Sequence, residues 1–122
     1  MKKSDREVVR QKYNGKCAYC GCELPPRWHV DHIEPVIRCP LSGEMEKPEH
    51  DHIENFNPSC PSCNINKHSM SIEQFRNMIG MYVKSLNKYS VQYKMAKKYG
   101  LIQETGAEVK FYFETFKSYQ ND

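Results

Sequence analysis

Two copies of Asp-His-Ile-Glu, beginning at Asp31 and at Asp51, and six cysteines hold most of the reactive chemistry of this 122-residue chain. An Asp-His pair sets a metal ligand beside a base: carboxylate oxygens hold hard cations, and a neutral imidazole accepts protons near neutral pH. The cysteines fall as Cys17-x-x-Cys20, Cys22, Cys39 and Cys60-x-x-Cys63. The chain starts with basic residues but shows no apolar core of a secretion signal, so reduced thiols and a cytoplasmic location are expected. In that setting two well-separated C-x-x-C pairs predict one tetrahedral zinc held by Cys17, Cys20, Cys60 and Cys63. Cys22 follows Cys20 too closely to be an easy fourth ligand, and it and Cys39 are read as free thiols.

These groups act only if the chain brings them together. Ser4-x-x-Glu7 predicts a capping box opening a first helix, with Val8, Val9 and Tyr13 as its apolar side and Asn14-Gly15 as its stop. Gly21 lets the first knuckle turn its amides toward the sulfurs, and Pro25-Pro26 exclude helix. Residues 28–33 read as a strand, with Trp28, Val30 and His32 on one face and His29, Asp31 and Ile33 on the other. Residues 38–54 form a long acidic loop with Pro40, Gly43 and Pro48. A helix is expected directly after Cys63. A second capping box, Ser71-x-x-Gln74, opens one amphipathic helix carrying Ile72, Phe75, Ile79, Tyr82, Val83 and Leu86. A third helix is expected at about 90–99, and 109–113 alternates as a strand. A zinc joining the two knuckles makes the strand and the helix that follow them leave from one fixed point. Asn64 and His68, four apart, share a helix face. Asp31, Asn64 and His68 can then surround one small volume, with His32 adjacent.

The stretches "CAYC", "HVDHIEP" and "ENFNPSCPSCNINKH" together resemble the HNH endonucleases, of the ββα-metal type with a zinc-ribbon staple. The resemblance covers roughly residues 15–70, and D-H-I-x-P after one knuckle with N-x-x-K after the other is its rarer part. It implies that Asp31 and Asn64 are ligands of a catalytic divalent cation, Mg²⁺ or Mn²⁺, and that His32 is the general base. It further implies that Asn55 pins the loop by backbone hydrogen bonds and so aims the base. His68 sits where some members carry a last ligand and others do not. The activity implied is phosphodiester hydrolysis in DNA leaving a 5′-phosphate, from a kinked hairpin ended near Pro35. By this reading the first Asp-His-Ile-Glu is catalytic, and the second leads into Asn55, with His50, Asp51 and His52 read as a solvated loop or else as an accessory metal or substrate contact.

Charge distribution supports a polyanionic partner. Residues 1–63 hold 9 basic and 10 acidic side chains, whereas 64–98 hold 7 basic ones against Glu73 alone. Lys67, Lys88, Lys94, Lys97 and Lys98 are the expected phosphate contacts. Tyr82, Tyr89, Tyr93, Tyr99, Tyr112 and Tyr119 are interleaved with such lysines; core packing is their plainer use, and a surface tracking nucleic acid the other. His29 reads as a surface strand residue. No apolar run approaches a membrane span. A zinc deaminase is a poor fit: Ser59 precedes Cys60 where that signature has Pro, Pro35 follows Glu34, and Cys17/Cys20 are left without a task. A non-catalytic zinc module for nucleic acid uses the knuckles and lysines but gains nothing from Asp31, His32 or Asn64. The expected protein is α+β: an HNH core with its helix over 1–70, then a helical extension with a short strand over 71–122. A homodimer is among the assemblies left open.

Overall fold

The computed structural model describes residues 1–36, 41, 42, 44 and 48–117. Cys39, Pro40, Gly43 and Tyr119, each given a reading above, lie outside the described residues. Helix α1 is Lys3–Gln11, β1 is His29–His32, β2 is Phe56–Ser59 and α2 is Pro61–Lys67. Four more helices follow: α3 (Ile72–Gly80), α4 (Tyr82–Tyr89), α5 (Val91–Lys98) and α6 (Tyr112–Thr115). No helix among the described residues is long and apolar enough to cross a membrane.

Strands β1 and β2 pair antiparallel, His29 opposite Ser59 and Asp31 opposite Asn57. This α+β arrangement is the one expected. Three elements differ from their sequence reading. Helix α1 starts one residue before Ser4, which puts Ser4 inside the first turn and leaves the helix without a side-chain cap. The single helix expected after Ser71 is two, because the chain leaves regular helix at Met81, directly after Gly80. Ser71 and Gln74 do form a reciprocal capping box. Residues 109–111 are extended without a strand partner, and the chain then turns into α6. Their alternation still holds as burial: Phe111 is buried, and Val109 and Phe113 pack against the same core.

That core gathers Val9, Ala18, Tyr19, Leu24, Trp28, Phe56, Phe75 and Phe111 around the buried thiols of Cys17 and Cys60. The Tyr19 ring stands edge-on to Phe75 and Phe111, with centroids at 5.8 and 5.5 Å. Such aromatic pairs add about 0.5–1.5 kcal/mol each beyond burial. Backbone amides of Tyr112 and Phe113 donate to the carbonyls of Tyr19 and Ala18. The C-terminal segment therefore clamps the first knuckle, and Gly21 explains itself there. Its φ is +78°, and a β-carbon would meet the Tyr112 ring at 2.9 Å. Helices α4 and α5, by contrast, contain no buried residue. The tyrosines expected to pack there do not: Tyr82, Tyr89 and Tyr99 are exposed.

Candidate active site

The four cysteines of the two knuckles converge, with sulfurs all within 4.8 Å of one another. The Cys20 and Cys60 sulfurs are 3.9 Å apart. A tetrahedral zinc with bonds of about 2.3 Å needs its sulfurs about 3.8 Å apart, so this donor set fits such an ion. Both knuckles aim amides at sulfur: Tyr19 N–H donates to Cys17 Sγ at 3.4 Å, and Cys63 N–H to Cys60 Sγ at 3.5 Å. The thiols share protons unequally. A hydrogen bond from Cys63 holds Cys17 well below the usual thiol range, and the same contact pushes Cys63 up. A divalent cation removes that competition by favouring four thiolates at once. Cys22 is exposed and stands outside the four-sulfur cluster.

Cys60 is also the N-cap of α2, its sulfur accepting from the Cys63 amide. Pro61 takes the first helical position, where a missing N–H costs nothing. The helix thus begins three residues earlier than expected and carries Asn64, Lys67 and His68 away from the sulfurs toward β1. Asp31, His32, Asn64 and His68 border one cavity of about 440 Å³, together with Val30, Pro35, Val36 and Ser69.

Asp31 is buried at 5% exposure, and its Oδ2 is heavily used. The Tyr19 hydroxyl donates to it, and Lys67 Nζ lies 3.1 Å away. Burial pushes the Asp31 carboxyl above its ordinary value, while the Lys67 ammonium pulls the other way. Burial, with the Asp31 charge beside it, pushes the Tyr19 phenol far up, so it remains a donor. Oδ1 makes no hydrogen bond among the described residues. Asn64 Nδ2 donates to His29 Nδ1 at 2.7 Å, which leaves the amide oxygen of Asn64 uncommitted. His68 ends α2 with φ +53°, a strained value for a residue with a side chain, and its amide donates to Asn64 O. The four cysteines are the only group of three or more clustered His, Cys, Asp or Glu ligand atoms among the described residues. A cation beside Asp31 would find one carboxylate oxygen, the Asn64 amide oxygen and His68 on the walls of this cavity, a sparse set of the kind that hard cations accept.

His32 follows Asp31 as the last residue of β1. Its ring stands edge-on to Phe56 at 5.1 Å, and Nε2 is 2.9 Å from Asp51 Oδ1. Asn55 holds the loop beside it: it accepts from Glu34 N–H at 2.9 Å and donates to the carbonyls of Glu34 at 2.8 Å and His50 at 2.7 Å. His50 Nδ1 in turn pairs with Pro35 O at 3.0 Å.

Lys67 corrects one expectation. It is fully buried, donating to His32 O at 2.8 Å while pairing with Asp31, so it presents nothing to a phosphate. Charge counting put it on the surface because a lone lysine gives no sign of a carboxylate across the fold. Lys97 is bridged to Glu104 at 3.0 Å, whereas Lys88, Lys94 and Lys98 are exposed without an ion pair among the described residues. The reading of the sequence missed Tyr19, His29 and Asp51 as partners of the site. Only Tyr19 carried a signal, lying between two zinc ligands and so fixed in place.

A strand pair and a helix hung from a four-sulfur cluster, with Asp, His and Asn on one cavity, define a zinc-stapled ββα-metal fold. Residues 17–70 match the family model described as HNH endonuclease. No curated protein matches the chain, and no solved structure does.

Proposed function

We propose that this protein is a metal-dependent DNA endonuclease in which His32 is the general base and Asp31 and Asn64 hold a catalytic divalent cation. The observation that carries this reading is the shared cavity: Asp31, His32, Asn64 and His68 border it. His32 Nδ1 takes a proton from a water molecule as that water attacks the phosphorus. Asp31 Oδ1 and the Asn64 amide oxygen are the donors that would hold the divalent cation beside the scissile phosphate, with His68 as a third donor. When bound, Mg²⁺ or Mn²⁺ neutralises the charge growing on the leaving oxygen. Asn55 keeps the loop, and with it the base, in register. Zinc at the four cysteines is structural and leaves no open position for substrate. DNA is the substrate favoured, with Lys88, Lys94, Lys97 and Lys98 on its backbone and a 5′-phosphate as product. A cytoplasmic location goes with this reading. Assembly as a homodimer decides between nicking and double-strand cutting.

One observation favours a second reading. Asp31 already has an ammonium and a phenol on Oδ2, so its charge is partly balanced within the fold. A non-catalytic zinc-stabilised module for nucleic acid needs no more than that. Incubating supercoiled, linear and branched DNA with Mg²⁺, Mn²⁺ or chelator separates the two. Cation-dependent cleavage by the wild type, lost by about 10²–10⁴-fold in His32→Ala with DNA binding kept, supports the nuclease. DNA binding without cleavage in any cation selects the module.

A further inference from the structure

We propose that Asp51, in the second Asp-His-Ile-Glu, is a positioning residue that fixes the tautomer and the orientation of His32. The proposal rests on the reading of His32 as the base and supplies what that reading lacks, a reason for the ring to hold one pose. An ionised carboxylate can only accept a hydrogen bond. With Asp51 Oδ1 at 2.9 Å from Nε2, the ring proton belongs on Nε2, and the lone pair is left on Nδ1. Nδ1 makes no hydrogen bond among the described residues, and His32 is one of the residues that border the cavity. The Phe56 ring, edge-on at 88°, limits tilting. Two contacts therefore define the plane of the imidazole, one polar and one apolar.

Asp51 is itself held from behind. The preceding residue, His50, is fastened to Pro35 O through its ring and to Asn55 Nδ2 through its carbonyl. A loop that merely happened to pass the base would not be tied at the neighbouring residue to both the end of the strand and the pinning asparagine. The neighbouring pair makes the contrast: His52 and Glu54 meet at 3.1 Å, but their side chains are 51% and 80% exposed. His32 and Asp51 are 26% and 40% exposed. At that exposure the contact adds little stability. Its consequence is geometric, because a base whose lone pair points away from the water cannot take its proton.

The test compares wild type, Asp51→Ala, His32→Ala and the double variant. Asp51→Ala is expected to lower kcat about 10–100-fold, the usual cost of removing a group that orients a reactive histidine. KM for DNA, the cation concentration at half-maximal rate and thermal unfolding should stay as in wild type. The double variant should cut no more slowly than His32→Ala alone, since a residue acting through the base adds nothing once the base is gone. Additive losses, or wild-type rates in Asp51→Ala, overturn the proposal. A second measurement needs no cleavage. In ¹⁵N spectra of the imidazoles, free His32 should show one tautomer with its proton on Nε2, and Asp51→Ala should show both in exchange. Identical His32 signals in the two proteins overturn the proposal. A wild type that never cuts overturns the nuclease reading instead, and the ¹⁵N result still decides whether Asp51 orients the ring.

Discussion

The two ends of α2 serve opposite purposes. At its start, Cys60 and Cys63 join Cys17 and Cys20 in a closed set of sulfurs. Further along, Asn64 and His68 border the same cavity as Asp31, a carboxylate with one oxygen already occupied. The two sets adjoin: Asn64 directly follows Cys63, and His68 lies about 6 Å of rise further on. A full shell of four soft donors grips its ion and excludes everything else, which is what a staple requires. A sparse set of oxygens grips weakly and leaves positions for water and substrate. On the proposed function, coordination completeness, more than ligand identity, would separate the structural from the working centre within one helix.

The comparison breaks most violently at the sulfur end. Cys60→Ser removes a ligand, the N-cap of α2 and part of the core together. Structural zinc supplies folding free energy of about 10–16 kcal/mol in small zinc domains, so this variant should lose zinc and cooperative unfolding. Zinc content by metal analysis and circular dichroism check it; a folded, zinc-free Cys60→Ser protein contradicts the staple.

At the other end the largest effect should come from Lys67→Met, which is close in shape but lacks the ammonium. Breaking a buried ion pair leaves Asp31 uncompensated, at a cost of about 3–5 kcal/mol. Urea midpoints measure it. Added Mg²⁺ should recover part of the loss in the variant, because a cation replaces the missing charge beside Asp31. The sign with pH follows from burial, which raises the Asp31 carboxyl above its ordinary value of 3.8. The folded state then binds the extra proton more readily than the unfolded one. The destabilisation should be smallest near and below that pH and grow as pH rises. A penalty independent of both pH and Mg²⁺ would mean that Asp31 carries no charge in the fold.

A smaller change sharpens the same contrast. Asn55→Ala removes three hydrogen bonds to the backbone of Glu34 and His50, at a cost of about 1–3 kcal/mol in stability. It leaves every sulfur untouched. Zinc content should therefore be that of wild type, while the cleavage rate falls because the loop beside His32 is no longer held. A variant as active as wild type would separate the pinning of the loop from the aim of the base.

What could be read from the sequence follows the range of the interactions. Ser71 with Gln74 is a cap made within one turn, and it forms where expected; α5 also lies where a helix was expected, capped by Ser90 on the Tyr93 amide. Cysteine spacing carried across the fold only because a metal ion has few ways to be satisfied. The partners of the site were hidden, since they meet across distances that residue type does not encode. Asp51 is 19 positions from His32, and Lys67 is 35 positions from the carbonyl it donates to. Strand β2 was obscured by Asn57-Pro58, which reads as a turn; Pro58 is tolerated because its carbonyl accepts from Ala18 N–H at 2.8 Å. Alternation at 109–113 named the buried side chains correctly but not the conformation, because no strand among the described residues pairs with it.

The smallest effect is expected farthest from both centres, on the arm formed by α4 and α5. Lys94 and Lys98 are four apart on α5, exposed, and free of ion pairs among the described residues. Lys97 on the same helix already meets Glu104 and the Asn87 amide oxygen. If the arm follows a DNA backbone, Lys94→Glu with Lys98→Glu should weaken binding and lower the salt dependence of log Kd by about one per lost phosphate contact. Lys97→Gln should do less, because its charge is half spent within the protein. Neither change reaches the sulfurs or the cavity, so zinc content, unfolding and the rate at saturating DNA should hold. Titrations at several salt concentrations decide it. An unchanged slope in the double variant would take the arm off the DNA and leave its exposed tyrosines and leucine without that use.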